Sequence, residues 1–264
     1  FDEHVSKSVP LYSMGQDLTC KLSSFFLNDK SIFYDLGCST GTLIKKISKY
    51  NKDTKYKSIG YDIEKKMIEQ ARKKNKNKKN ITFKCVDIKK IKLKKSDFIV
   101  SYYTIQFIKP KYRQLIFDKI YNSLNWGGGF IFFEKIRGPD ARFQDMMTQI
   151  YSEYKKDIGY NEKHIYNKSL SLRGVLEPFT EKANMDFLKR SSCDKTNIEL
   201  RRTWGWALKL SANKQNPNNK QTSSNKQLFT DRSGISNRQV TPKRPVGPYR
   251  QGDSNRQGQG VSNR

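Results

Sequence analysis

Gly37, Cys38, Ser39 and Gly41 follow directly on an apolar and aromatic run, Ile32-Phe33-Tyr34-Asp35-Leu36, and Asp62 closes a second such run, Ser58-Ile59-Gly60-Tyr61-Asp62. Small residues after a strand let the backbone turn sharply and approach a ligand, and a carboxylate at the end of the next strand can accept from ribose hydroxyls. Asp62 stands 21 residues after Gly41, as one strand-helix-strand unit requires. Cys-Ser-Thr separates Gly37 from Gly41, which departs from the glycine spacing that cradles a pyrophosphate. A ligand with ribose and adenine but no phosphate fits better. S-adenosylmethionine is such a ligand, with its amino-acid end against the loop and its ribose on Asp62. The bland alternative is a tight strand-to-helix turn that binds nothing, and two features at matching separation weigh against it.

The elements that must carry these residues alternate in an α/β rhythm. Strands are expected at 31–36, 57–62, 81–86, 96–102 and 128–134. Between them Leu43, Ile44 and Ile47, then Met67, Ile68 and Ala71, then Leu115, Ile116, Ile120 and Leu124 recur at helical spacing, and those helices would cover a parallel sheet. Gly127-Gly128-Gly129 marks the stop of the last of these helices and the start of strand five. Residues 139–173 read as an insertion of two helices, with Phe143, Met146, Met147, Ile150, Tyr151 and Tyr154 on one side. That stripe either packs the helices down or lines a substrate pocket, and packing is the commoner use. Pro178 to Lys189 reads as a helix, and 195–201 with 204–210 as two closing strands joined at Arg202-Thr203, an antiparallel hairpin at the sheet edge.

Of 264 residues, those from Ser211 to Arg264 are dominated by Asn, Gln, Ser, Gly, Lys and Arg. So few apolar groups do not offset the entropy of ordering a chain, so 211–264 is expected as a disordered basic tail, with the folded domain at 1–210. The net charge is +27, and the tail's ten basic and two acidic residues leave about +19 for the remainder. Basic runs at Arg72 to Lys79 and Lys89 to Lys95 would draw RNA or another polyanion by counterion release, or they are simply a solvated face. No aromatic-interleaved nucleic-acid motif accompanies them. Cys20, Cys38, Cys85 and Cys193 lack C-x-x-C spacing and His4 and His164 stand apart, so neither a metal site nor a disulfide framework is expected. Scattered cysteines, no bilayer-length apolar run and no signal-type start read as a cytoplasmic protein without a membrane segment. The chain opens on Phe rather than Met, which reads as a start that lacks its first residues.

A longer set of motifs carries a family resemblance. Phe-Asp-Glu at 1–3, Lys-Ser-Val-Pro-Leu-Tyr-Ser at 7–13, Tyr-Asp-Leu-Gly-Cys-Ser-Thr-Gly at 34–41, Val-Asp-Ile at 86–88, Thr-Ile-Gln-Phe at 104–107, Asp-Lys-Ile-Tyr at 118–121, Leu-Asn-Trp-Gly-Gly at 124–128 and Glu-Lys at 134–135 together resemble the carboxy-S-adenosyl-L-methionine synthases. The resemblance spans roughly residues 1–210 and implies a Rossmann-like class I methyltransferase fold: a seven-stranded, mostly parallel sheet with an antiparallel last strand and a helical insertion after strand five. It implies a place in tRNA wobble-uridine modification and a homodimer whose insertion helices pack across subunits. Tyr12 would contact the methionyl end of S-adenosylmethionine, Gly37, Cys38 and Ser39 would line the loop, and Asp62 beside Ile63 would hold the ribose. Asp87 and Ile88 would bracket the adenine; a strand-end cap is the plainer role for Asp87.

Members of that family take prephenate, which loses its carboxylate as carbon dioxide and departs as phenylpyruvate while the sulfonium-bound methyl carbon is carboxylated. An Arg on the insertion helices meets the new carboxylate. A gapless alignment from Gly159-Tyr160 puts Ser169 at that position, with Lys168 and Arg173 as nearby cations that lack or displace the bidentate fork. Tyr102 stands where the family has Asn, Ile63 replaces an Asn, and the stretch between Phe1 and Lys7 is shortened. These departures rank methyl transfer to an undetermined acceptor first and carboxyl transfer second, with a non-catalytic cofactor-binding protein bearing a nucleic-acid-binding tail third. Methyl transfer needs mainly positioning. Tyr102, Tyr103 and Gln106, with Thr104, lie where an acceptor would sit and are the candidate catalytic groups, or else a strand end packed on the insertion.

Overall fold

The computed structural model describes residues 1–192, 196–203 and 206–213. Its centre is a parallel sheet of β1 (Ile32–Leu36), β2 (Lys57–Asp62), β3 (Ile81–Cys85), β4 (Ser96–Tyr102) and β5 (Leu124–Lys135). Successive residues of the central strands point to opposite faces, and both faces are covered. Phe33, Phe98, Val100, Ile131 and Phe133 join the core that includes Ile44 and Ile47 of α3 (Thr42–Tyr50) and Ile68 of α4 (Lys65–Lys74). Tyr34, Ile99, Phe130 and Phe132 join the core formed with Ile116, Phe117 and Ile120 of α5 (Pro110–Ser123). Burial on both sides is why these strands are nearly all apolar.

The strand order is β3-β2-β1-β4-β5-β7-β6. β7 (Trp206–Asn213) pairs antiparallel with β5 and with β6 (Thr196–Thr203). The direction in which strands are added reverses between β1 and β4, so the loops leaving those two strands diverge and open a crevice at the carboxyl edge, the usual ligand position in such sheets. Two helices precede the sheet, α1 (Asp2–Ser8) and α2 (Tyr12–Ser23), and α6 (Ala141–Asp157), α7 (Glu162–Ser171) and α8 (Glu181–Ser192) follow β5.

Several expected boundaries move. Strand five begins at Leu124, which is extended and pairs with Ser96, before the ladder shifts register and resumes at Phe98 opposite Gly129. The three glycines therefore sit inside an irregular strand, and α5 has already ended at Ser123. The buried face of α5 is Arg113, Ile116, Phe117, Ile120 and Ser123, which leaves Leu115 exposed. Arg202 and Thr203 belong to β6, opposite Ala207 and Trp206, so the connection falls at 204–205, outside the described residues. Residues 211–213 of the segment expected as tail are the end of β7, and 214–264 lie outside the described residues.

One buried side chain fixes the loop after β4. Arg113 donates through Nε to the Ile108 carbonyl at 2.8 Å and through Nη2 to the carbonyls of Gln106 at 3.1 Å and Glu177 at 2.6 Å. Its guanidinium also lies 4.3 Å from the centroid of the Phe179 ring. Removing it strands buried acceptors, so Arg113→Ala should lower the unfolding free energy by about 3 kcal/mol in urea titration. A loss below about 1 kcal/mol would mean that water replaces the guanidinium freely.

Candidate functional site

At the carboxyl edge a cleft of about 2640 Å³ opens between the loops after β1 and β4, α1 and the helices that follow β5. The first loop is shaped by its backbone. Gly37 has φ +83, and a Cβ there would run into the Thr104 side chain, so only glycine lets the two loops approach. The N–H groups of Gly37 and Cys38 both donate to the Tyr61 carbonyl, at 2.8 and 2.9 Å, and Ser39 turns through φ 47. Asp62 completes the attachment by accepting from the Ser39 N–H through Oδ2 at 2.8 Å and from the Glu64 N–H through Oδ1 at 2.9 Å. Each carboxylate oxygen keeps a lone pair for a further donor.

All but one of the expected cofactor residues meet in this cleft: Tyr12, Gly37, Cys38, Ser39, Asp62, Ile63, Asp87, Ile88 and Tyr102 line it. Gly41 does not. It sits beneath the loop, where a Cβ would come within 2.7 Å of Phe83, and its service is to the backbone turn that starts α3. The Cys38 thiol faces the core, and burial pushes its pKa up. Ile63 is exposed and Ile88 buried among Ile91 and Ile116. Burial tends to raise the Asp87 carboxyl, but the Lys89 N–H at 2.9 Å and the Lys89 ammonium at 3.0 Å hold it below the usual range.

Sequence reasoning quoted Asp35 without giving it a role. It is 1% exposed, its Oδ1 has no hydrogen-bond partner, and it lines the cleft beside Gly37 and Cys38. Burial, reinforced by the Asp62 carboxylate, pushes its carboxyl up to about 8. A lone acid in an otherwise apolar strand, one residue before a glycine loop, was the available signal.

The candidate catalytic groups are held by other contacts. Tyr102 donates its hydroxyl to the Tyr12 carbonyl at 2.5 Å, and its ring centroid is 5.0 Å from that of Tyr12 and 4.9 Å from that of Tyr103. Burial pushes the pKa of all three hydroxyls up. Gln106 accepts the Lys135 N–H at 2.8 Å and donates to the Tyr103 carbonyl at 3.3 Å, which makes it a brace between β5 and the loop. Tyr103 itself turns through φ 58, a strained angle for a bulky residue, with its N–H bonded to the Phe133 carbonyl at 2.9 Å. Beneath it the buried Glu134 accepts from the Ile105 N–H at 2.9 Å. Burial pushes the Glu134 carboxyl up to about 8, against the pull of the Gln106, Ile105 and Thr104 N–H groups and Arg113.

The roof of the cleft is polar at its joints. Asp2 of α1 accepts from Thr40 at 2.6 Å and Thr42 at 3.2 Å and pairs with Lys74. At the other end of α1, Tyr151 donates to the Ser8 carbonyl at 2.7 Å and Tyr154 to the Lys7 carbonyl at 2.8 Å, while Tyr160 lies 2.9 Å from His4 Nδ1. The aromatic stripe of α6 faces the cleft: Phe143, Met147, Ile150, Tyr151 and Tyr154 line it, none is fully buried, and Tyr151 and Tyr154 also hold α6 to α1. Lys168, Ser169 and Arg173 line it as well, with the Ser169 hydroxyl donating to the Tyr166 carbonyl at 2.7 Å. Of the two basic runs, Lys74 and Lys89 are used in ion pairs and Arg72 donates to the Phe83 carbonyl, whereas Lys73, Lys76, Lys78 and Lys79 are exposed. Among the described residues no cluster of metal-ligating side chains occurs, and no helix is long and apolar enough to cross a membrane.

Residues 33–128 match the family model described as a methyltransferase domain. Over 192 residues the chain is 37% identical to the carboxy-S-adenosyl-L-methionine synthase of Campylobacter lari, covering 72% of this chain and 81% of that one. It is 35% identical over 211 residues to the synthase of the same name from Sulfurimonas denitrificans, covering 77% and 86%. Among solved structures, an O-methyltransferase family protein from Burkholderia thailandensis aligns with TM-score 0.56 at 11% identity, over 77% of this chain and 56% of that one. Human N-acetylserotonin methyltransferase in complex with SAM aligns with TM-score 0.50 at 17% identity, over 74% and 51%. These two share the fold.

The protonated Asp35 has a pH signature. A carboxyl whose folded-state pKa lies above its unfolded value binds more protons in the native state between the two. Its stabilisation is then complete below the ordinary Asp range and is lost as pH climbs towards about 8. In the ligand-free protein, Asp35→Asn should therefore flatten the decline of unfolding free energy between about pH 4 and 8. Parallel wild-type and variant profiles would show that Asp35 ionises like an exposed acid.

Proposed function

The chain belongs to the carboxy-S-adenosyl-L-methionine synthase family and is an S-adenosylmethionine-dependent transferase, and from that premise we propose that it carboxylates its cofactor, with prephenate as donor. The observation that carries this is the meeting, in one cleft at the switch point of the sheet, of the loop at 37–39, the ribose acid Asp62 and the orphaned carboxyl of Asp35. The cradle fits the group. Gly37 leaves room at the loop, Asp62 has lone pairs to spare, and Asp35 awaits a cationic or donor partner, which the cofactor's amino group would be. The rings of Tyr12, Tyr102 and Tyr103 offer electron-rich faces to a sulfonium. Ile88 packs where an adenine ring would lie, with Asp87 at its edge.

When bound, S-adenosylmethionine supplies a sulfonium whose methyl carbon takes the carboxyl group that prephenate gives up, with phenylpyruvate and water as co-products. The protein's own groups favour this over methylation of a protonated acceptor. Burial keeps the hydroxyls of Tyr12, Tyr102 and Tyr103 protonated, so none serves as a base at neutral pH. Carboxyl transfer asks none of the protein, because the hydroxide that prephenate sheds on becoming aromatic takes the proton lost from the methyl carbon and leaves as the water. Methyl transfer to an undetermined acceptor keeps in its favour the departures from the resembled family at Ser169, Tyr102 and Ile63. Homodimerisation belongs to the same proposal: Phe143 and Ile150 line the cleft yet stay exposed, as does Met146 beside them on α6, and a second copy would cover the three together.

Incubation with S-adenosylmethionine and prephenate should yield phenylpyruvate and a cofactor heavier by one carboxyl group, read by mass spectrometry. Accumulation of S-adenosylhomocysteine instead would return the function to methyl transfer. Asp62→Ala removes both the ribose acceptor and the anchor of the Ser39 N–H, and its affinity for S-adenosylmethionine should fall by roughly tenfold or more in calorimetry. An unchanged affinity would contradict the ribose role.

A further inference from the structure

Three lysines from three elements line the same cleft. Lys135 ends β5, Lys155 lies on α6 and Lys168 on α7, and all three line the cleft. The ammonium groups of Lys135 and Lys155 lie over one ring, 5.2 and 4.4 Å from the centroid of Tyr151. Among the described residues six ion pairs are formed, and none includes any of the three. The neighbouring acid Glu162 is paired with Lys156 instead. Burial holds Lys135 below the usual ammonium range; burial, Lys135 and Lys168 do the same to Lys155. Lys135 and Lys155 are partly desolvated and Lys168 is exposed; cations that repel one another and lack an acid are stabilised by an anion entering between them.

The room for such an anion is present. At about 2640 Å³ the cleft is larger than the roughly 300–1,000 Å³ that one small ligand needs, so a second molecule fits beside a cofactor. Lys155 and Lys168 reach it from the insertion, where the resembled family has an Arg and Ser169 stands here, and Lys135 reaches it from the end of β5.

We propose that Lys135, Lys155 and Lys168 form, around Tyr151, a binding site for the carboxylates of a small dicarboxylate donor, and that in this chain the three together take the place of one arginine. The assignment rests on the carboxyl-transfer reading. Lysines act as point charges on flexible stems, so the site gives up the planar fork of a guanidinium but surrounds its ligand from three elements.

The test is binding of prephenate to the full chain saturated with S-adenosylhomocysteine, which lacks the methyl group and leaves the complex unreacted, followed by calorimetry beside an assay of product formation. Lys155→Met and Lys168→Met should each weaken prephenate by roughly tenfold or more. Neither should move the affinity for S-adenosylhomocysteine by more than about twofold, and the exposed Lys79→Met should change neither affinity. Adding Ser169→Arg to Lys168→Met should recover most of the lost affinity. Undiminished prephenate binding in both lysine variants, with carboxylated cofactor still formed by the wild type, overturns the lysine site and leaves carboxyl transfer standing. Lysine-dependent binding in a wild type that makes no carboxylated cofactor upholds the site and removes carboxyl transfer. A wild type that does not bind prephenate overturns the site.

Discussion

Backbone N–H groups of two loops, accepted by carboxylates on neighbouring strands, hold the site together. Asp62 at the end of β2 takes the Ser39 N–H of the loop after β1, and Glu134 near the end of β5 takes the Ile105 N–H of the loop after β4. A parallel sheet ends with its loops unpaired at the carboxyl edge, and their donors must find acceptors somewhere. By drawing those acceptors from the strands on either side, the fold ties each loop across its neighbour. The loops are then rigid enough to be a site, and the gap left where strand order reverses is the cleft. Glu134 does this while buried and weakly acidic, Asp62 while open to the cleft, which is why only Asp62 keeps capacity for a ligand.

The parts legible from the sequence are those in which a residue type is nearly compelled by backbone geometry. Gly37 has to be glycine because Thr104 closes on it, and Asp62 has to be an acceptor because two N–H groups converge on it. Both are visible as a glycine and an acid at strand ends. The strands themselves were legible because burial on two faces leaves continuous apolar runs. Legibility failed where one pattern serves two structures. A Gly-rich run after a helix reads as a stop, but here the helix had already ended and the glycines lie within an irregular strand. Gln106 looked like an acceptor-facing amide because nothing local reveals that its side chain bonds the backbone of Lys135 and Tyr103. Asp35 was passed over because a carboxyl inside a core strand has no periodic signature; only its missing partner marks it.

On the proposed reading, a substitution at one aligned position is a weak guide to chemistry. Ser169 removes a guanidinium from a helix, but a cleft walled by three elements presents positive charge from each of them, and charge acts over several ångströms where a bidentate bond acts only in contact. What a column of a sequence loses, the surrounding volume can keep. The ranking of carboxyl transfer over methyl transfer depends on that distinction, together with tyrosines whose burial leaves them unable to take a proton.

α1 buries none of its residues, and its joints to the cofactor loop and to α6 are hydrogen bonds and one ion pair. Each such bond is worth only about 1 kcal/mol net, because water offers the same partners when it breaks. A helix fastened this way detaches at a free energy well below that of unfolding the sheet. The wall that α1 gives the cleft is thereby decoupled from the stability of the fold: it is held by groups that water can replace, and the buried contacts of the sheet do not depend on it.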